Sequence, residues 1–155
     1  MFKKTGIISL HETTKFGLVN QNGEKFSYKP DFILGLEING KIPVLEVHGH
    51  SVFQTKDFHK YSEFRRAYGD RFYSILASDL SPVQLNLLAN AAGHDAVELA
   101  DEIWYLLDLD NIGPDNSIRG DGLWTEWGEN VSGYVTGKLE TLKSKSVPLA
   151  SRKFA

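Results

Sequence analysis

The sequence predicts an α/β fold in which short strands come first, then a helix, a further strand and a helical C-terminal half. Three observations carry this. Residues 16–48 alternate strand-like runs with two Asn-Gly turn signals, Asn22-Gly23 and Asn39-Gly40. Residues 55–68 switch to helical spacing, with Phe58, Tyr61, Phe64 and Tyr68 on one stripe. The run RFYSILA at 71–77 then returns to a buried-strand pattern, which makes the helix a crossover between strands.

Taken in order, residues 16–20 and 25–28 flank the first turn, and residues 31–38 and 41–48 flank the second. Together they read as an antiparallel meander of at least three strands. Gly69 is placed to end the first helix. Ser81-Pro82 is a cap followed by proline at the first helical position, opening a helix to about Ala92 before Gly93 breaks it. Asp95-Ala96-Val97-Glu98 has the spacing of a capping box and predicts another helix to about Asp108. Residues 109–122, rich in Gly, Asp and Pro, read as a long loop. Trp124 and Trp127, one turn apart, place the remainder in a helix to about Leu142, with a frayed tail from Lys143. The expected organisation is an α/β core over 1–79, an acidic helical extension over 80–142 packed on the same domain, and a basic flexible tail over 143–155.

Composition narrows the function classes. A chain of 155 residues is about one domain, and 41% apolar with 24% charged residues is a globular balance. Cysteine is absent, which excludes disulfides, thiolate metal sites and cysteine nucleophiles. No apolar stretch approaches the 18 or so residues of a membrane span, and no signal-peptide pattern is evident, so the expectation is a cytoplasmic protein without a membrane partner. The net charge of −3 hides an asymmetry. Residues 1–79 carry 11 Lys/Arg against 9 Asp/Glu, residues 80–137 only Arg119 against 10 acids, and residues 138–155 five Lys/Arg against Glu140. A phosphate ligand would meet the first part and the tail, not the middle.

The second hairpin carries the chemistry. With a two-residue turn at Asn39-Gly40, Ile38 faces Lys41, Ile33 faces Glu46 and Asp31 faces His48. Alternation then puts Asp31, Ile33, Glu46 and His48 on one face, and Phe32, Leu34, Leu36, Leu45 and Val47 on the greasier other. A bulge at Gly35 would shift this register. Two carboxylates suit a hard cation such as Mg²⁺ or Mn²⁺. His48 could activate or orient a water, or ligate a metal itself. A solvated strand face is the alternative reading.

The run Tyr28-Lys29-Pro30-Asp31 followed, after 14 intervening residues, by Glu46-Val47-His48 resembles the PD-(D/E)XK nuclease superfamily, whose fold is restriction-endonuclease-like. The likeness covers roughly residues 12–79. It implies a metal-dependent endonuclease acting on nucleic acid, DNA before RNA, with a homodimer where both strands are cut. It also implies that Asp31 and Glu46 are metal-binding carboxylates, with the Val47 carbonyl as a further ligand for Mg²⁺ or Mn²⁺. Where the family has a lysine, this chain has His48. Either the histidine substitutes for it, or a lysine reaches in from the following helix, Lys60 before Lys56, or the site has lost catalysis and serves as an interaction module. Glu12 stands where the family has an upstream acidic residue, and His50 continues the face of Glu46 only if the strand passes Gly49. Arg65, Arg66 and Arg71 are candidates for phosphate contact, or members of a solvated helix face.

Overall fold

The computed structural model describes residues 9–11, 14–48, 54–105, 135–145 and 147–148. Its elements are β1 (Ser9–His11), β2 (Phe16–Val19), β3 (Lys25–Tyr28), β4 (Phe32–Leu34), β5 (Leu36–Glu37), β6 (Ile42–His48), α1 (Thr55–Tyr68), β7 (Phe72–Ser78), α2 (Pro82–Ala91), a 3₁₀ turn (Ala96–Glu98), β8 (Glu102–Tyr105), α3 (135–144) and β9 (Val147–Pro148). The fold is α/β, built on a mixed sheet of five strands in the order β1-β4-β6-β7-β8. β1, β4 and β6 run antiparallel, whereas β6, β7 and β8 run parallel. The parallel step from β6 to β7 needs a crossover, which α1 supplies.

Each face of the sheet is covered. Val44 and Leu76 point to the face packed by α1, by the β2–β3 hairpin and by α2. Leu34, Leu45, Ile75, Ala77 and Trp104 point to the other, which α3 closes with Val135, Leu139 and Leu142. The stripe Phe58, Tyr61 and Phe64 is the buried face of α1, as its spacing predicts. The helix is capped by the Asp57 carboxylate, which accepts from the Gln54 N–H at 2.8 Å. At α2, Ser81 and Gln84 bond reciprocally, as a capping box should: the Gln84 N–H donates to Ser81 Oγ and the Ser81 N–H to Gln84 Oε1.

Four expectations are corrected. The meander over 16–48 is not one sheet: β2 and β3 pair only with each other, and β1 takes the place beside β4. Pro30, which has no N–H to donate, separates the hairpin from β4 and lets it fold onto α1. The second hairpin does turn at Asn39-Gly40, with φ of 52° and 80° at the two positions and Ile38 bridging Lys41. Its outer register, however, pairs Phe32 with Leu45 and Ile33 with Val44. Between these pairs and the turn, the first arm holds residues 34–37 and the second only 42–43, because the chain bends at Gly35 and β5 leaves to pair with β9. The slip is two residues, so the faces stay as read.

The helix expected from Asp95 to about Asp108 is a single 3₁₀ turn followed by strand β8. Asp101 stops it. Its N–H donates to the Ser74 carbonyl at 2.9 Å, and its carboxylate accepts from the Ser74 N–H at 2.7 Å and from Arg65 at 2.9 Å. Those bonds seat the chain on the sheet, where Ile103, Trp104 and Tyr105 have the side chains strands favour. The acidic extension therefore contributes the fifth strand. The tail, expected frayed from Lys143, continues α3 to 144 and pairs Val147–Pro148 with β5. Residues 109–122, Trp124 and Trp127 lie outside the described residues. Among the described residues, no helix is long and apolar enough to cross a membrane.

Trp104 is fully buried on β8. Trp104→Ala should cost about 3–5 kcal/mol in urea unfolding. A loss below about 1 kcal/mol would contradict its place in the sheet.

Candidate functional site: a carboxylate pair at the end of the parallel strands

Glu46 and His48 lie on the face of β6 that α1 covers, two residues apart and beyond Val44. Extending the β4–β6 register by one position sets Asp31 opposite Glu46, not opposite His48. The bonds agree: the Asp31 N–H donates to Glu46 Oε2 at 3.1 Å, and the Val47 N–H donates to Asp31 Oδ2 at 2.8 Å. Each carboxylate is thus held by the backbone next to the other.

Two further side chains close on Glu46, neither of which the sequence reading assigns to the site. Tyr28, from β3, donates its phenol proton to Glu46 Oε2 at 3.0 Å. Tyr61, from α1, donates to Oε1 at 3.4 Å. The same Tyr61 oxygen lies 2.6 Å from His48 Nδ1. With the phenol proton directed at Glu46, Nδ1 is the donor in that contact. His48 Nε2 lies 3.6 Å from Asp57 Oδ2. The imidazole therefore acts on Glu46 through Tyr61. The signal for these groups was present but ambiguous. Tyr61 falls on a stripe that Phe or Leu would fill equally well, and its hydroxyl is the only hint of polar work.

Of the two candidate lysines, Lys60 is at the site. Its ammonium sits 5.4 Å from the Tyr28 ring centre, 5.5 Å from that of Tyr61 and 3.6 Å from Asp57 Oδ1. Its charge acts on Glu46 in the direction that favours the carboxylate. Lys56, one turn earlier, is exposed. The arginines are elsewhere. α1 starts at the site and runs away from it, so Arg65 and Arg66 lie toward its far end, and Arg71 precedes β7 at the opposite end of the sheet. Arg65 is committed to the Val97 carbonyl and Asp101, Arg66 to Glu63, and Arg71 lies 4.0 Å from Asp70 and over the Tyr68 ring. Glu12 and His50 lie outside the described residues.

The electrostatics follow from burial. Removal from water, followed by the negative charge of Asp31, lifts the Glu46 carboxyl from 4.5 to about 7. Bonds from Tyr28 and the Asp31 N–H, and the charge of Lys60, pull the other way. Burial and the neighbouring Glu46 charge raise both Tyr28 and Tyr61 well above the ordinary phenol range, so both remain donors. Beneath Glu46 lies a cavity of about 10 Å³, lined in part by Tyr28, Tyr61 and Ser74.

Among the described residues, no group of three or more His, Asp or Glu is arranged to hold a metal ion. The Asp31–Glu46 pair nevertheless has the chemistry of a cation site. It offers two hard oxygen donors, one of them raised to about 7 by burial and then by the charge of the other, and Mg²⁺ is held by as few as one or two protein carboxylates. No family model, curated protein or solved structure matches the chain.

The raised Glu46 pKa has a stability consequence. The folded state binds this proton more tightly than the unfolded chain, so the contribution is full below pH 4.5 and is lost as pH rises through about 7. Without divalent metal, Glu46→Gln should gain stability relative to the parent by roughly 3 kcal/mol between pH 4.5 and 8. Urea titrations of both proteins across that range test this, and a pH-independent difference would contradict it.

Proposed function

We propose that the protein is a metal-dependent phosphodiesterase, a DNA endonuclease of the PD-(D/E)XK type. The observation that carries the reading is the facing pair Asp31 and Glu46 at the end of β4 and β6, with the Lys60 ammonium beside it. The order of elements supports it as well: a strand pair bearing the carboxylates, a crossover helix bearing the lysine, then a parallel strand.

Asp31, Glu46 and the Val47 carbonyl would hold Mg²⁺ or Mn²⁺, which supplies Lewis-acid polarisation of the scissile phosphate and acidifies a water. The chain's own residues do the rest. Tyr28 and the Asp31 N–H fix the Glu46 carboxylate so that it needs no reorganisation on binding. Lys60 replaces the motif lysine. Two tyrosine rings hold its ammonium in place, where it would stabilise negative charge developing on phosphate. His48 is a positioning residue, setting Tyr61 and, through it, Glu46.

A second reading, a non-catalytic nucleic-acid or protein interaction module, is favoured by one observation. His48 stands at the motif lysine's place and is turned toward Tyr61 and Asp57.

Plasmid incubated with Mg²⁺ or Mn²⁺ should be nicked or cut. Asp31→Asn and Glu46→Gln should each lower the rate by at least about 100-fold, as should Lys60→Ala. His48→Ala should cost about 10–100-fold, mostly recoverable at high metal concentration. Absence of cleavage of DNA and RNA under every divalent metal would leave the interaction module.

A further inference from the structure

A groove of about 750 Å³ lies beside the carboxylate pair, between the β2–β3 hairpin, the first two turns of α1 and the turn after α2. Lys25 and Phe26 line it from β3, Lys56, His59 and Lys60 from α1, and His94 from the opposite side. Lys60 belongs to this groove and its charge acts on Glu46, and Asp57 of the same lining lies 3.6 Å from His48, so a chain bound at the site continues into it. Its volume suits a ligand of one or two nucleotides rather than the side of a duplex.

The lining's formal charges cancel, but two of its acids are held in ion pairs: Asp57 caps α1 and pairs with Lys60, and Glu63 pairs with Arg66. Glu24, which accepts from the neutral Asn20 amide at 3.3 Å, then stands alone against Lys25 and Lys56. Lys25 and Lys56 are exposed and have no ion-pair partner among the described residues. What the groove offers a ligand is therefore positive. A fixed imidazole also lines the groove: His94 Nδ1 lies 3.2 Å from Glu98 Oε2, and His94 Nε2 lies 2.7 Å from His59 Nδ1. With Nδ1–H of His94 donating to the carboxylate, its Nε2 accepts from His59. That relay sets the orientation of the His59 ring on the groove wall.

We propose that this groove seats a single-stranded stretch of nucleic acid leading away from the scissile phosphate, its backbone phosphates on Lys25 and Lys56 and its bases over the apolar floor that includes Phe26. Cations along a groove beside an aromatic ring are the general means of holding a single strand. The proposal takes its substrate class from the nuclease reading, and the two can fail separately.

The test is fluorescence anisotropy of the full chain in EDTA, with a labelled 12-nucleotide single strand and the matching duplex. The single strand should bind more tightly than the duplex. Lys25→Ala with Lys56→Ala should weaken single-strand binding about tenfold and flatten its log–log salt slope by roughly 1.4, since each single-strand phosphate contact contributes about 0.7. Arg71→Ala, at the far end of the sheet and outside the groove lining, should change neither. An unchanged slope in the lysine variant, an effect as large from Arg71→Ala, or competition by a mononucleotide as effective as the oligomer would each overturn the proposal. Lysine-dependent binding with no cleavage under any metal keeps the groove and sinks the nuclease reading. Cleavage with lysine-independent binding does the reverse.

Discussion

Glu46 carries a carboxylate on the face of the sheet that the protein covers with a helix. A charge placed there must be paired, hydrogen-bonded or neutralised. The fold uses all three means in part. Tyr28 reaches it from the hairpin, Tyr61 from α1 and the Asp31 N–H from β4, while Lys60 supplies positive charge from the rim. Asp31 works against them, because its own carboxylate is held alongside by the Val47 N–H. The result is a carboxyl poised near neutrality, kept so by elements drawn from both the antiparallel and the parallel parts of the molecule.

This constraint explains why the first turns of α1 are polar on a side that would otherwise be core. Asp57 is buried, yet it caps its own helix through Gln54, pairs with Lys60 and lies near His48. One residue thus sets where the helix begins, where the ammonium rests and what the imidazole faces. Tyr61, one turn on, links the imidazole to Glu46. A helix started one residue earlier or later would rotate these groups by about 100° and dissolve the arrangement.

Much of this was legible because sheet faces depend on parity. The turn at Asn39-Gly40 and the alternation of Asp31, Ile33, Glu46 and His48 were readable from residue type alone, and they survive a register slip because that slip is two residues. The slip itself was not readable. It depends on β5 pairing with Val147–Pro148, more than a hundred positions away. The strand at Glu102–Tyr105 was hidden for a similar reason. Asp95 and Glu98 have helix-capping spacing, and only the tertiary bonds of Asp101 to Ser74 and Arg65 end the helix after one turn. Tyr61 stands on the stripe of α1, and a stripe of aromatic residues has the same spacing whether or not a hydroxyl at its edge holds a carboxylate.

The charge asymmetry also takes on a definite meaning. The acidic part of the chain has a structural task, because Asp101 takes up Arg65 at the far end of α1, where Glu63 also holds Arg66. Cations that looked equivalent along one helix are thereby sorted by position. Arginines far from Glu46 are engaged in holding α1 to the sheet or to itself, while the exposed Lys25 and Lys56 flank the groove that begins at Lys60. Arginine suits the first task because its planar fork makes two directed bonds, as Arg65 does to Val97 and Asp101. Lysine, a mobile point charge, suits contact with an anion that must come and go. Residue type and position therefore divide one basic helix into a structural end and an end open to an anion.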